Sequence, residues 1–479
     1  MNRIARLIFD PTALMRTMLP MLTALGLLGT GCNLAPKYFA PEPDLPVTFK
    51  TQGPWRTAKP SDAATRGEWW RVFGDARLGK LLREADAASP TLELARQRVL
   101  EARALARADR AGLFPTMAVR SVTQRDRNSG LMQFQFAGGR SRTSMTQSFD
   151  FDYEVDLWGR LKNQSSAGLA RADAADADAE NVRLGLLTEL AMNYYALRTQ
   201  DAQIALLRRT VAVRQRTVDI AKKRFEQGDI AQIDVAQAET DLAETQAESI
   251  GLERRRAELE HAIALLVGRT PTEFTLAASP LDGTPPSLPR SVPSDLLERR
   301  PDIAAAERQM AAQNAEIGVA RAAYFPSVSL GLSGGSQTSF SNRVFDSRSR
   351  IWGLGPAAVN WPLLTGGAVK ANHQAAQARY EQAAATYRQS VLAAVRDVED
   401  SLSAIDVLRR QSAAQAATIA AASRAEELAQ KRYDAGLVAY YEVLDAQRTR
   451  LRAEREATRV RGEHFVATVM LVKALGGGW

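Results

Sequence analysis

Between Met145 and Leu157 the chain alternates. Met145, Gln147, Phe149, Phe151, Tyr153, Val155 and Leu157 fall on one side, and Thr146, Ser148, Asp150, Asp152, Glu154 and Asp156 on the other. A period of two predicts a strand with one apolar face and one acidic or hydroxylic face. Pro326–Ser333 repeats the pattern, with Val328, Leu330 and Leu332 set against Ser327, Ser329 and Ser333. Trp352–Leu363 and Met117–Arg125 carry it with more interruptions. Polar, Gly/Ser-rich stretches, Asp126–Ser141 and Gln337–Ser349, lie between the paired strands and read as exposed loop tips.

Elsewhere the pattern is helical and very long. From about Gln164 to Gln227 only Gly168 and Gly185 weaken the helix, and a second run spans about Ala368 to Ala435. At 1.5 Å per residue each reaches ~95 Å. Small residues at three- and four-residue spacing, such as Ala371, Ala375, Ala378 and Ala385, suit close helix packing, in a coiled coil or in a tube of helices. Shorter helices run up to Phe114-Pro115 and Phe325-Pro326, since proline disfavours helical geometry in the residue before it.

These elements occur twice. KRFEQGDIAQIDVAQAE from Lys223 and KRYDAGLVAYYEVLDAQ from Lys431 are near copies, and Ala221–Ala238 matches Ala429–Ala446 at seven of eighteen positions. Tyr153, Val155, Gly159 and Lys162 answer Trp361, Leu363, Gly367 and Lys370. Such self-similarity predicts an internal duplication. The expected organisation is a signal peptide over 1–31, an N-terminal extension over 32–75, a first repeat over 76–269, a Pro-rich linker over 270–292 and a second repeat over 293–479. Each repeat supplies two strands and a long helical hairpin turning at Gly228 or Gly436.

An amphipathic strand fits a soluble sandwich, with the apolar side as core, or a membrane barrel, with the apolar side toward lipid. Two features favour the barrel. Strand lengths are near the ~9–11 residues that cross a bilayer, and the chain opens with an export signal. Arg3, Arg6 and Arg16 precede the short apolar run MLPMLTALGLLGTGC, which ends at the only cysteine, Cys32. The run is too short for a spanning helix and reads as a secretory leader. A cysteine just after it marks Cys32 as a lipidation site; Gly31 fits the bacterial lipoprotein pattern and Gly29 departs from it. Asn33, not Asp, follows the cysteine, which favours anchoring at the outer membrane. Four strands cannot close a barrel without leaving backbone groups unpaired in lipid, so several chains must contribute, and three would give twelve strands.

Composition narrows the chemistry. The excess of 62 basic over 54 acidic residues gives +8, but no Lys/Arg block interleaves with aromatics, so nucleic-acid binding has no support. One cysteine excludes an intramolecular disulfide. His261, His373 and His464 stand alone, with no metal-ligand spacing. GLSGGSQ (Gly331–Gln337) lacks the Lys-Ser/Thr of a phosphate loop, so its glycines serve strand or loop geometry. No cofactor and no enzyme activity are expected.

Three further segments resemble the TolC-like outer-membrane channel family, in its lipoprotein branch serving resistance–nodulation–division efflux pumps. They are GEWWRVFGDARLGKLLREA (Gly67–Ala85), YEVDLWGRLK (Tyr153–Lys162) and PSDLLERRPDIAAAERQMAAQNAEIGVARAAYFPSVSL (Pro293–Leu330). The resemblance implies a mixed α and β fold: a long α-helical barrel plus a transmembrane β-barrel of 12 strands, closed only as a homotrimer. It implies the exit duct of a tripartite pump, passing drugs or other small molecules from an inner-membrane transporter and a periplasmic adaptor to the outside. A type I protein-secretion duct is the alternative. It places the twin turns in the periplasm, with Gly228, Gly436, Arg224, Phe225, Arg432 and Tyr433 as adaptor-contact tips. It also places Tyr441, Glu442, Asp445 and, more weakly, Asp234 at a periplasmic gate setting ion selectivity. Glu442 and Asp445 are three apart and share a helix face. The basic residue the family often carries two positions after the second turn glycine is here Val438, which disfavours a salt-bridge latch there and leaves an aromatic constriction from Tyr440-Tyr441 as an equal alternative.

Overall fold

The computed structural model describes residues 33–39, 67–127, 141–286 and 300–477. The expected leader with Cys32, most of the expected N-terminal extension, part of the first strand loop and the end of the expected Pro-rich linker lie outside them. The chain forms two compact units: Leu100–Ala174 and Ala306–Thr386 with the N-terminal segment in one, and Glu42–Val99, Ala175–Ala305 and Tyr387–Trp479 in the other. Each unit draws on both repeats.

The first repeat contains α1 (Ala76–Ala88), α2 (Pro90–Ala111), β1 (Thr116–Arg127), β2 (Ser141–Val155), α3 (Arg160–Glu226) and α4 (Gln232–Val267). The second contains α5 (Pro301–Ala322), β3 (Ser327–Thr338), β4 (Arg350–Asn360), α6 (Ala368–Asp434) and α7 (Tyr440–Ala474). Both long helices have 67 residues, about 100 Å at the α-helical rise. Helices α2 and α5 stop at Ala111 and Ala322, short of the Phe-Pro pairs where their ends were expected, because a tight turn intervenes.

The strands form one antiparallel sheet in the order β1-β2-β3-β4. Its register stacks Met117, Phe151, Leu332 and Leu354 in one row and Val119, Phe149, Gly334 and Trp352 in the next. This apolar face is bare: Leu354 is 75 % and Trp352 84 % exposed. A sandwich would cover it, so the soluble alternative fails on exposure. Arg120 and Asp150 form a 3.4 Å ion pair on the opposite, polar face. Among the described residues neither β1 nor β4 has a second strand partner, which leaves both edges open.

Strand limits differ from expectation for identifiable reasons. β3 runs on through Gly334-Gly335 to Thr338, so Gln337 is strand rather than loop, because β2 pairs with it that far. β4 covers Arg350–Asn360 rather than Trp352–Leu363, leaving Trp361 and Leu363 beyond it. A register shift between Leu330 and Leu332 marks one extra residue on β4 at Gly355-Pro356. Such a bulge breaks the alternation seen in the sequence. The β3–β4 loop carries two short 3-10 turns, Ser341–Arg343 and Ser347–Ser349.

In the second unit the main core gathers Trp69, Trp70, Leu78, Leu82, Leu187, Tyr194, Tyr195, Ile263 and Phe465. Asp75 caps α1 by accepting from the Arg77 and Leu78 amides and also accepts from the Tyr194 hydroxyl at 2.7 Å. The extended chain after α4 is gripped by its backbone. Arg256 donates to the Leu276 carbonyl (2.6 Å) and Arg198 to that of Ala277 (2.8 Å). Asp201 accepts from the Ser279 amide at 3.0 Å. Buried charges are tolerable here because each finds a partner.

Candidate functional site

The twin turns share one geometry. Gly228 (φ 81°) and Gly436 (φ 70°) occupy the left-handed region. The amides of Gly228 and Asp229 donate to the Phe225 and Arg224 carbonyls, and those of Gly436 and Leu437 to the Tyr433 and Arg432 carbonyls, all at 2.9 Å. This is the helix-ending motif in which glycine avoids a side-chain clash at positive φ. Lys223 and Arg224, then Lys431 and Arg432, end the incoming helices. Asp234 and Glu442 stand in the first turns of the outgoing ones, so each hairpin's charges complement the helix dipoles. A Cβ at either glycine would meet nothing within 4 Å.

The flanking residues are not equivalent. Arg224 donates to the Tyr433 hydroxyl at 3.2 Å and lies over its ring, 5.5 Å from the centroid. The two expected contacts thus pair with each other across the repeats. Phe225 and Arg432 are exposed. Tyr440 and Tyr441 divide. Tyr440 is buried with Val218, Ala238, Leu242, Val443 and Leu444, its ring 5.4 Å from that of Tyr433, and burial pushes its hydroxyl pKa up to about 12. Tyr441 is 58 % exposed.

A groove of about 510 Å³ between α6 and α7 brings Tyr441, Glu442 and Asp445 together with Arg432, over a floor of Ala422, Ala425 and Leu428. The two carboxylates differ. Glu442 accepts from Arg432 at 3.5 Å, whereas Asp445 is exposed with no cationic partner among the described residues. Asp234 lies apart, half-buried at the start of α4.

A buried ion cluster stands further along the same helices, and sequence spacing does not reveal it. Asp241 on α4 is 1 % exposed. Its carboxylate lies 2.6 Å from Arg214 Nε of α3 and accepts from Arg448 Nε of α7 at 2.8 Å. Arg214 also donates to the Asp241 carbonyl at 3.0 Å. Burial pulls the Arg214 pKa down, opposed by Asp241. Arg448–Glu244 and Arg455–Glu248 continue the α4–α7 contact. Among the described residues no His/Cys/Asp/Glu group could hold a metal ion.

A sheet with a bare apolar face, a charged opposite face and two open edges, in a chain of very long paired helices, is the build of one subunit of an oligomeric membrane channel. The family model described as outer membrane efflux protein matches residues 81–269 and 292–477, and the chain belongs to that family. Among its relatives is the solvent efflux pump outer membrane protein SrpC of Pseudomonas putida, 33 % identical over 96 % of this chain and 98 % of that protein. Outer membrane protein OprJ of Pseudomonas aeruginosa is 32 % identical over 94 % of this chain and 93 % of its own length. The solved structure of the outer-membrane channel OprN superposes with a TM-score of 0.84 at 28 % identity, covering 94 % of this chain and all of that one. The protein is an outer-membrane efflux duct, a passage and not an enzyme.

Proposed function

We propose that three copies close a twelve-stranded barrel in the outer membrane and a helical barrel in the periplasm. The assembly passes small organic molecules delivered by an inner-membrane resistance–nodulation–division transporter through a periplasmic adaptor. The observation that carries this reading is the four-stranded amphipathic sheet with both edges open. Lipid cannot hydrate those edges, and three sheets in a ring pair all of them. Relatives named for solvent, toluene and pyoverdine export support a small-molecule cargo. Cys32 at the end of the leader serves as the lipid anchor.

The twin turns dock the adaptor. Gly228 and Gly436 are unobstructed and Phe225 and Arg432 exposed beside them, while Arg224 and Tyr433 hold the two turns together. Repeated in three chains, the two turns make a rim of six similar tips. Tyr441, Glu442 and Asp445 narrow and charge the periplasmic mouth. Rings of carboxylates concentrate cations at a constriction. Asp445 dominates that effect, because Arg432 offsets Glu442.

Single-channel conductance in a planar bilayer tests the gate. The Glu442→Ala/Asp445→Ala variant is expected to conduct more and to lose cation selectivity, with Asp445→Ala alone giving most of the selectivity change. A variant conducting like the wild type, with equal selectivity, removes the gate from these residues.

A further inference from the structure

The end of the sheet remote from the helices carries charge that the duct reading leaves unused. On the apolar face of β1, Met117 and Val119 are followed, two residues at a time, by Ser121, Thr123, Arg125 and Arg127. On β4, Arg350 lies one row beyond Trp352, opposite Ser336 of β3. Arg142 at the start of β2 and Arg343 in the β3–β4 loop lie at the same end. All five are exposed. Arg142 sits opposite Asp126 across the ladder and Arg343 helps hold the Asp346 carboxyl below its usual range, whereas Arg125, Arg127 and Arg350 make no ion pair with a carboxylate among the described residues. Arg348 is neutralised by Asp346 at 3.5 Å, and Asp126 is the one other acid in these strand ends and this loop. The sequence of residues 128–140 adds no Asp or Glu.

Height matters as much as charge. From Val155 to Thr143, the partner of Arg125, a strand tilted ~40° climbs about 30 Å along the membrane normal. That equals the thickness of a bilayer's hydrocarbon core. Arg125 and Arg127 therefore continue the lipid-facing side just where hydrocarbon gives way to head groups. Arg350, beside the exposed Trp352, lies in the row of Ser121, two rows below Arg125, and its long side chain extends outward toward that level.

We propose that Arg125, Arg127 and Arg350 form a collar that binds the phosphates of anionic lipid head groups in the outer leaflet. Guanidinium forks match phosphate oxygens in bidentate geometry, and three chains would present nine of them outward around the barrel. Closure of the ring sets β4 of one chain beside β1 of the next, so each phosphate site draws Arg350 from one subunit and Arg125 or Arg127 from its neighbour. The inference rests on the proposed orientation, with the strand loops outside and the helices in the periplasm.

The test compares full-length wild type with the Arg125→Gln/Arg127→Gln/Arg350→Gln variant. Binding of lipid A, a glycolipid bearing two phosphates, and of its dephosphorylated counterpart is measured on detergent-solubilised trimers by native mass spectrometry. Wild type is expected to retain lipid A and to release the dephosphorylated form. The variant is expected to lose at least about tenfold in lipid A affinity, at a few-fold per arginine near an anionic surface. An Arg→Lys triple variant, which keeps the charge and the fold, falls between them. Equal retention of both lipids by wild type, or equal retention of lipid A by the Gln variant, overturns the collar. A Gln variant with wild-type lipid binding and altered anion conductance would instead assign these arginines to the mouth of the pore. Single-channel current, measured on the same preparations, shows separately whether the duct reading stands.

Discussion

Removing Asp241 should do more damage than its ordinary appearance on a charged helix suggests. Asp241→Ala strands Arg214, 7 % exposed, without a counter-charge. Breaking a buried ion pair from one side costs about 3–5 kcal/mol. Arg448→Ala leaves Asp241 still paired with Arg214, and the Arg448 side chain is 36 % exposed, so its loss should cost about 1 kcal/mol or less. Asp241→Asn keeps the shape and one acceptor and should fall between. Exchanging both buried partners for apolar residues, Arg214→Met/Asp241→Leu, should recover much of the loss, since a well-packed apolar pair often matches a buried ion pair. Urea unfolding of the detergent-solubilised protein, with hydrogen exchange along α3, α4 and α7, measures both size and place. If Asp241→Ala and Arg448→Ala unfold at the same urea concentration, burial is not what sets the energy of this cluster.

Adjacent glycines in β3 give a paired comparison. A Cβ at Gly335 would overlap the Gln147 carbonyl of β2, whereas at Gly334 it would meet nothing within 4 Å, so Gly335→Ala should reduce the yield of folded barrel and Gly334→Ala should not. At the turns, Gly228→Ala and Gly436→Ala meet no neighbour but must hold positive φ, a strain of about 1–2 kcal/mol each; both should fold, with lower urea midpoints. Burial, aided by Arg409, holds the His464 pKa below its usual value. The unfolded chain therefore binds the proton first, and His464 lowers stability as pH falls below ~6.5. His464→Gln should flatten that acid limb of a stability–pH curve, and an unchanged curve would show that His464 does not cause it.

Legibility in the sequence followed how local each feature is. The alternation of Met145–Val155 exposed β2 because side chains on a strand change face at every step. β4 was blurred by its extra residue at Gly355-Pro356, and β3 looked finished at Ser333 because Gly334 and Gly335 have no side chains to alternate. The long helices and both turn glycines were legible from helix-forming runs and their sudden end. At the candidate site, spacing put Glu442 and Asp445 on one helix face and the family resemblance added Tyr441, but neither showed the neutralising reach of Arg432 or the burial of Tyr440 beside the exposed Tyr441. Asp241 meets Arg214 and Arg448 only after α3, α4 and α7 pack. Nothing in ETDLAE distinguishes that carboxylate from its solvated neighbours.

The two open edges of the sheet also have a genetic consequence. A chain whose β1 edge still pairs but whose β4 edge is blocked, for instance by a proline facing outward, would accept a neighbour on one side and refuse it on the other. In the proposed trimer such a chain would spoil any ring it joined, wild-type partners included. Expressed equally with the normal gene, it would leave about one ring in eight intact if subunits mix at random. A lesion in one allele would then behave as dominant, whereas loss of the chain altogether would be recessive.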